Sequence, residues 1–109
     1  MAKKIVINAG RPHIEIDGVY FYPGPRVVSC IEILYRARGE TVSYEQFGAR
    51  LRASKPCVHL AIFHARKIFD GQRNCKILNT FAIGYRMERS PDIEFLVLAP
   101  QPELERTAS

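Results

Sequence analysis

The chain has 109 residues, 47% of them hydrophobic and 25% charged, which suits one domain with a modest core and leaves no room for a separate catalytic domain. No apolar run approaches the roughly 20 residues that span a bilayer, and Met1 to Ile7 offers two lysines and a short β-like stretch rather than a signal peptide. A cytoplasmic protein with no membrane partner is expected. Net charge is +5, but residues 50–89 alone carry nine Lys or Arg against Asp70 and Glu88, a local +7, between a head (1–49) at +1 and a tail (90–109) at −3. A basic middle of this kind points to a polyanion met by that segment. Cys30, Cys57 and Cys75 cannot all pair and show no CxxC spacing, so they read as reduced thiols, with no metal or cofactor expected.

Lys4 to Asn8 is a short β-rich run that Ala9-Gly10-Arg11-Pro12 interrupts. His13 to Ile16 alternates polar and apolar residues, Asp17-Gly18 is a hairpin signal, and Val19 to Tyr22 returns. Pro23-Gly24-Pro25 ends this antiparallel sheet. From about Arg26 to Arg38 the period becomes helical, with Val27, Ile31, Leu34 and Tyr35 on one stripe. Gly39 should stop that helix, with Arg36 and Arg38 in its last turn. Thr41-Val42 reads as a short strand.

Ser43-Tyr44-Glu45-Gln46 matches a capping box for a second helix that runs to about Arg52 and buries Tyr44, Phe47 and Leu51. After Ala53, Ser54 or Lys55 serves as N-cap of a third helix, Pro56 sits in its first turn, and the helix runs to about Phe69 with Gly71 as its stop. Two helices so closely joined form a helix-turn-helix unit. Lys76 to Asn79, a turn at Thr80 to Ile83, and Gly84 to Met87 form a β-hairpin, and Ile93 to Leu98 is one further strand. Residues 1–99 are therefore read as one α+β domain: N-terminal antiparallel strands, three helices, a hairpin wing and an extra strand. Residues 100–109, with two prolines and almost no apolar side chains, read as a flexible tail.

Spacing the third helix at 100° per residue puts Val58, Ala61, Ile62, Ala65, Ile68 and Phe69 in one apolar arc. His59, Leu60, Phe63, His64, Arg66 and Lys67 fall on the remainder. Arg and Lys suit phosphates or guanine edges, and apolar groups can touch the thymine methyl. Leu60 and Phe63 also fit a second reading, as anchors for a protein partner.

Val58-His-Leu-Ala-Ile-Phe-His-Ala-Arg-Lys-Ile-Phe69, Lys76 to Met87 with its Gly84-Tyr85-Arg86 ending, and Gly39-Glu-Thr-Val-Ser-Tyr-Glu-Gln-Phe47 together resemble the OmpR/PhoB-type effector domain of bacterial response regulators. The likeness runs over roughly residues 12–88. It implies a winged helix-turn-helix that binds double-stranded DNA. In that family's pattern Arg66 is the arginine near the end of the recognition helix, Thr80 the wing threonine on the backbone, Tyr85 the tyrosine packing the wing, and Arg86 the arginine after it. The chain departs from the pattern too. Phe63 stands where an arginine is common, and Ala61 where a histidine can stand. Ala82-Ile83 replaces an Arg-Gly tip, and the connection Ala53–Pro56 is contracted, so polymerase recruitment is not expected. No receiver domain is expected ahead of the module.

The resulting expectation is specific. Lys55, His59, Phe63, Arg66 and Lys67 approach the major groove, His64 flanks them, Lys76, Thr80 and Arg86 fix the wing on phosphate, and Arg50 and Arg52 add backbone contacts. Histidines facing phosphate would tighten binding once protonated below about pH 6.5. The strand Ile93–Leu98 offers an edge for homodimerisation. The alternative is a winged-helix interaction module for an acidic protein or transcription component. No nucleophile–base pair, phosphate loop or paired carboxylates stands at motif spacing, so an enzyme is not expected. A standalone module suits a small repressor, a phage or mobile-element regulator, or an accessory DNA-binding protein in a bacterial nucleoid or an infected cell.

Overall fold

The computed structural model describes residues 4–8, 10–70 and 75–98. Alternation sets the first sheet. Strands β1 (Lys4–Asn8), β2 (His13–Ile16) and β3 (Val19–Phe21) run antiparallel, and Ile5, Ile7, Ile14 and Ile16 all turn to one buried face. The β2–β3 turn is Asp17-Gly18, both at positive φ, as a two-residue turn matching the strand twist requires. The Asp17 carboxylate also accepts the Lys4 amide at 2.8 Å, tying the turn to β1.

Helix α1 (Pro25–Arg36) starts on a proline, where the missing N–H costs nothing, and buries Val27, Val28, Cys30, Ile31 and Leu34. It ends two residues before the expected Arg38. Arg38 itself is left-handed at φ 53, so it lies past the last turn rather than within it. Strand β4 (Val42–Ser43) leads into α2 (Tyr44–Leu51), whose capping box is complete. The Gln46 amide donates to Ser43 Oγ at 3.1 Å, and Gln46 Oε1 accepts the Ser43 amide at 2.9 Å. Arg52 closes α2 in a left-handed conformation, and Ser54 is the N-cap of α3 (Lys55–Ile68).

The hairpin strands β5 (Cys75–Thr80) and β6 (Gly84–Arg89) pair antiparallel, and β4 adds to the other edge of β6, giving the order β4-β6-β5. The last strand, β7 (Glu94–Leu98), lies parallel to β1, so the first sheet reads β3-β2-β1-β7. The core lies between these sheets and the helices, and joins Ile31, Leu34, Phe47, Val58, Ile62 and Met87. The expected α+β winged helix-turn-helix is the fold observed. Gly71, the expected stop of α3, and the expected tail at 100–109 lie outside the described residues.

The β4–β6 approach depends on one glycine. A Cβ on Gly84 would stand 1.9 Å from the Val42 carbonyl oxygen and 2.8 Å from Ser43 Cα, both backbone atoms. Gly84→Ala is expected to lower stability by about 2 kcal/mol or more, as overpacking against backbone does. Chemical denaturation of the variant checks this, and an unchanged midpoint would count against the close approach.

Candidate nucleic-acid interface

Helix α3 buries Val58, Ala61, Ile62, Ala65 and Ile68, and Phe69 behind it, as its 3.6-residue period requires. The opposite face is open, and Leu60 (56% exposed) and Phe63 (51%) stand on it among charged neighbours. No Asp or Glu occurs between Glu45 and Asp70, whereas that stretch holds Arg50, Arg52, Lys55, Arg66 and Lys67. The ion pairs Arg36–Glu32 and Arg86–Glu88 both lie outside α3.

The α3 side chains divide into two groups. Lys67 holds its ammonium 4.6 Å from the Phe63 ring centre, and His64 meets the same ring edge-on at 5.6 Å, making an outward cluster of Phe63, His64 and Lys67. Lys55, at the start of the helix, places its ammonium 4.6 Å from the Tyr44 ring on α2. These four are exposed.

His59 and Arg66 make contacts with other elements of the domain. His59 is half-buried between Tyr44 and Tyr85, with ring centres 5.0 and 5.9 Å away, and its Nδ1 shares a 2.8 Å hydrogen bond with the Tyr85 hydroxyl. It sits at the margin of the apolar arc, between two tyrosines. The Arg66 Nε donates to the Ile77 carbonyl at 3.1 Å and its guanidinium lies 5.5 Å from the Tyr85 ring, so it braces the wing while part of its fork stays exposed.

Tyr85 joins these parts. It is 6% exposed and meets Tyr44, Phe47 and His59 edge-on, so one ring touches α2, α3 and the wing. Burial, with Tyr44 beside it, pushes its phenol above the ordinary value, against the pull of Arg66. It remains a neutral hydrogen-bonding group at neutral pH.

On the wing, Ile77, Tyr85 and Met87 face the core. Lys76, Leu78, Thr80, Arg86 and Glu88 take the other face by strand alternation. Lys76 is exposed. Arg86 is half-buried and pairs with Glu88 at 3.5 Å, and Thr80 Oγ1 bonds Thr41 Oγ1 at 2.9 Å. Arg52 is exposed at the α2–α3 connection, near Lys55 in sequence. Arg50 lines a shallow groove with Pro25, Arg26 and Ser29 on the α1 side of α2, so the structure does not gather it with the outward cluster of α3.

Two features escaped the sequence. Phe81, at the tip of the wing, is the most exposed large apolar side chain among the described residues, and the turn assignment at Thr80 to Ile83 was the signal that could have found it. Cys57, in the first turn of α3, is the other. A hydrogen bond from the Ser54 side chain, helped by the charge of Arg26, draws its thiol below the ordinary value. Burial pushes Cys30 up to about 12. Among the described residues no group of three His, Cys, Asp or Glu stands close enough to hold a metal, and no helix is long and apolar enough to cross a membrane.

No family model matches the chain, and no curated protein matches it. Among solved structures, the DNA-binding domain of E. coli CadC is similar, with a TM-score of 0.65 over 75% of this chain and 83% of that one, at 17% sequence identity. At that identity the likeness is one of fold, the winged helix.

The thiols give a direct check on this geometry. In folded protein at neutral pH, Cys57 is expected to react with iodoacetamide well before Cys30, because only Cys57 is both accessible and shifted toward thiolate. Mass spectrometry of time points reads the order, and equal rates at the two positions would contradict the placement of α3 against Ser54 and Arg26.

Proposed function

We propose that this domain binds double-stranded DNA, with the outer face of α3 in the major groove and the β5–β6 wing along the backbone beside it. One observation carries the reading. The open face of α3 gathers Lys55, Lys67 and the free part of Arg66, with no carboxylate in the whole stretch from Gln46 to Phe69 to neutralise them. Phosphate supplies the missing countercharge. In this reading Lys55, His64 and Lys67 meet phosphate or base edges, Phe63 and Leu60 lie against thymine methyls, and Lys76, Arg52 and the Glu88-paired Arg86 add backbone contacts. The resemblance to OmpR/PhoB-type effector domains and the fold shared with a DNA-binding domain support the same conclusion. A regulator of transcription is the role such a domain serves, and repression by occupancy is the simplest form for one without added polymerase-contacting loops.

Dimerisation through β7 extends this proposal. Among the described residues β1 alone pairs with that strand, and a second copy pairing on the other edge would set two recognition helices on paired half-sites.

The half-exposed Leu60 and Phe63 favour one rival, a docking face for an acidic protein. Selection of bound duplexes from a random pool, followed by titration at several salt concentrations, separates the two. With about four phosphates neutralised, affinity should fall roughly 100-fold between 50 and 200 mM salt, and Lys67→Ala should reduce the logarithmic salt slope by about one. A protein-docking face would give no enrichment of any duplex. Leu60→Ala and Phe63→Ala would then abolish partner binding, while Lys67→Ala merely slowed association.

A further inference from the structure

The tip of the wing has a chemistry that the cations do not account for. Phe81 is 89% exposed and Ile83 54%. Neither belongs to a loose loop. The Ile83 amide donates to the Thr80 carbonyl at 3.0 Å, closing the turn, and the Ile83 carbonyl accepts the Tyr44 amide at 3.1 Å, tying the turn to α2. The Thr80–Thr41 hydroxyl bond secures the other side. Ala82 completes the turn in a left-handed conformation at φ 60, and its small side chain leaves the Phe81 ring standing alone at the end of the hairpin. A rigid mount holds an aromatic ring in water.

The surroundings say what that ring meets. The described hairpin carries Lys76, Arg86 and Arg89 against Glu88, so the element that bears Phe81 is net cationic and is apolar at its end. A duplex matches both parts. Its phosphates lie along the groove walls, and the stacked faces of its bases offer an apolar surface to a ring. An aromatic ring reaches that surface by prising a base step apart from the minor groove, which kinks the duplex.

We propose that Phe81 is such a wedge: the wing tip enters the minor groove, partly unstacks one base step and bends the DNA. This rests on the duplex-binding reading above. It adds a source of sequence preference that needs no hydrogen bond, because pyrimidine–purine steps open most easily, so a TA or CA/TG step belongs at a fixed distance from the bases that α3 reads.

The test uses the full chain and a duplex of about 30 base pairs recovered by selection, the wedge reaching only one step of it. Donor and acceptor dyes at the two ends report bending, and 2-aminopurine at the flexible step reports unstacking. On binding, the wild-type protein is expected to raise both energy transfer and 2-aminopurine fluorescence. Phe81→Ala should lose both signals and about tenfold in affinity, the scale of one aromatic–base contact, while keeping the salt slope of the wild type. Phe81→Leu, which keeps an apolar wedge, should retain most of the bend. A duplex that stays straight under saturating wild-type protein overturns the proposal, as does a bend that survives in Phe81→Ala, and in both cases DNA binding itself stands. Absence of any duplex binding in the titration overturns the underlying reading and this one with it.

Discussion

The placement of α3 relative to the wing depends on one buried aromatic ring. Tyr85 follows Gly84 at the start of β6, and it is turned inward to meet Tyr44 and Phe47 of α2 and His59 of α3. A two-stranded hairpin is marginally stable by itself and would otherwise swing about its base. Here its first inward side chain is locked between two helices, and Arg66 grips the neighbouring strand through the Ile77 carbonyl. Gly84 is what allows it, since the Val42 carbonyl occupies the space a side chain would need. The angle between helix and wing is therefore fixed by side-chain packing rather than by the loop that joins them.

The same cluster explains how the domain tolerates its charge. Lys55, Arg66 and Lys67 have no carboxylate partner among the described residues, and each rests instead against an aromatic face: Tyr44, Tyr85 and Phe63. Arg89 does likewise over Tyr35 and Phe95 at the far end of β6. A cation–π seat holds a side chain in position for about 0.5–1 kcal/mol at an exposed site without cancelling its charge. A salt bridge would hold it and neutralise it together. Aromatic seats on the α3 side, and the Arg86–Glu88 pair on the wing, thus divide the cations into those left free to meet an anion and one already partly satisfied.

Local periodicity made most of the fold legible. The buried arc of α3, the capping box at Ser43 and the Asp17-Gly18 turn depend on neighbours within a few residues, and the structure places each where the pattern puts it. Features that depend on distant partners were not legible. His59 looks like an outward residue on the helix wheel, and only Tyr44 and Tyr85, respectively 15 positions before it and 26 after it, draw it in. The bond from exposed Arg66 to the Ile77 carbonyl, and the groove that exposed Arg50 lines with α1 residues, are equally long-range. Phe81 was overlooked because turns are expected to be polar, and a hydrophobic residue there gives no periodic signal.

The pairing of β7 with β1 was the least legible step and has a mechanical consequence. Parallel partners so far apart in sequence close a long loop when they meet, which makes their pairing intrinsically slow. Once formed, the pair sets Phe95 on the inner face of the first sheet, stacked against Tyr35 of α1 at 4.6 Å, with the Arg89 guanidinium over both rings. Arg89 is the last residue of β6, and Glu94 the first of β7, so a short connection links the wing strand directly to the N-terminal sheet. Helix α1 packs against strands of both sheets and against α3. A load applied at the wing is therefore carried by β6 into the first sheet and the core, instead of being absorbed by the hairpin alone. That rigidity is what a hairpin needs if it is to deform a stiff partner rather than yield to it.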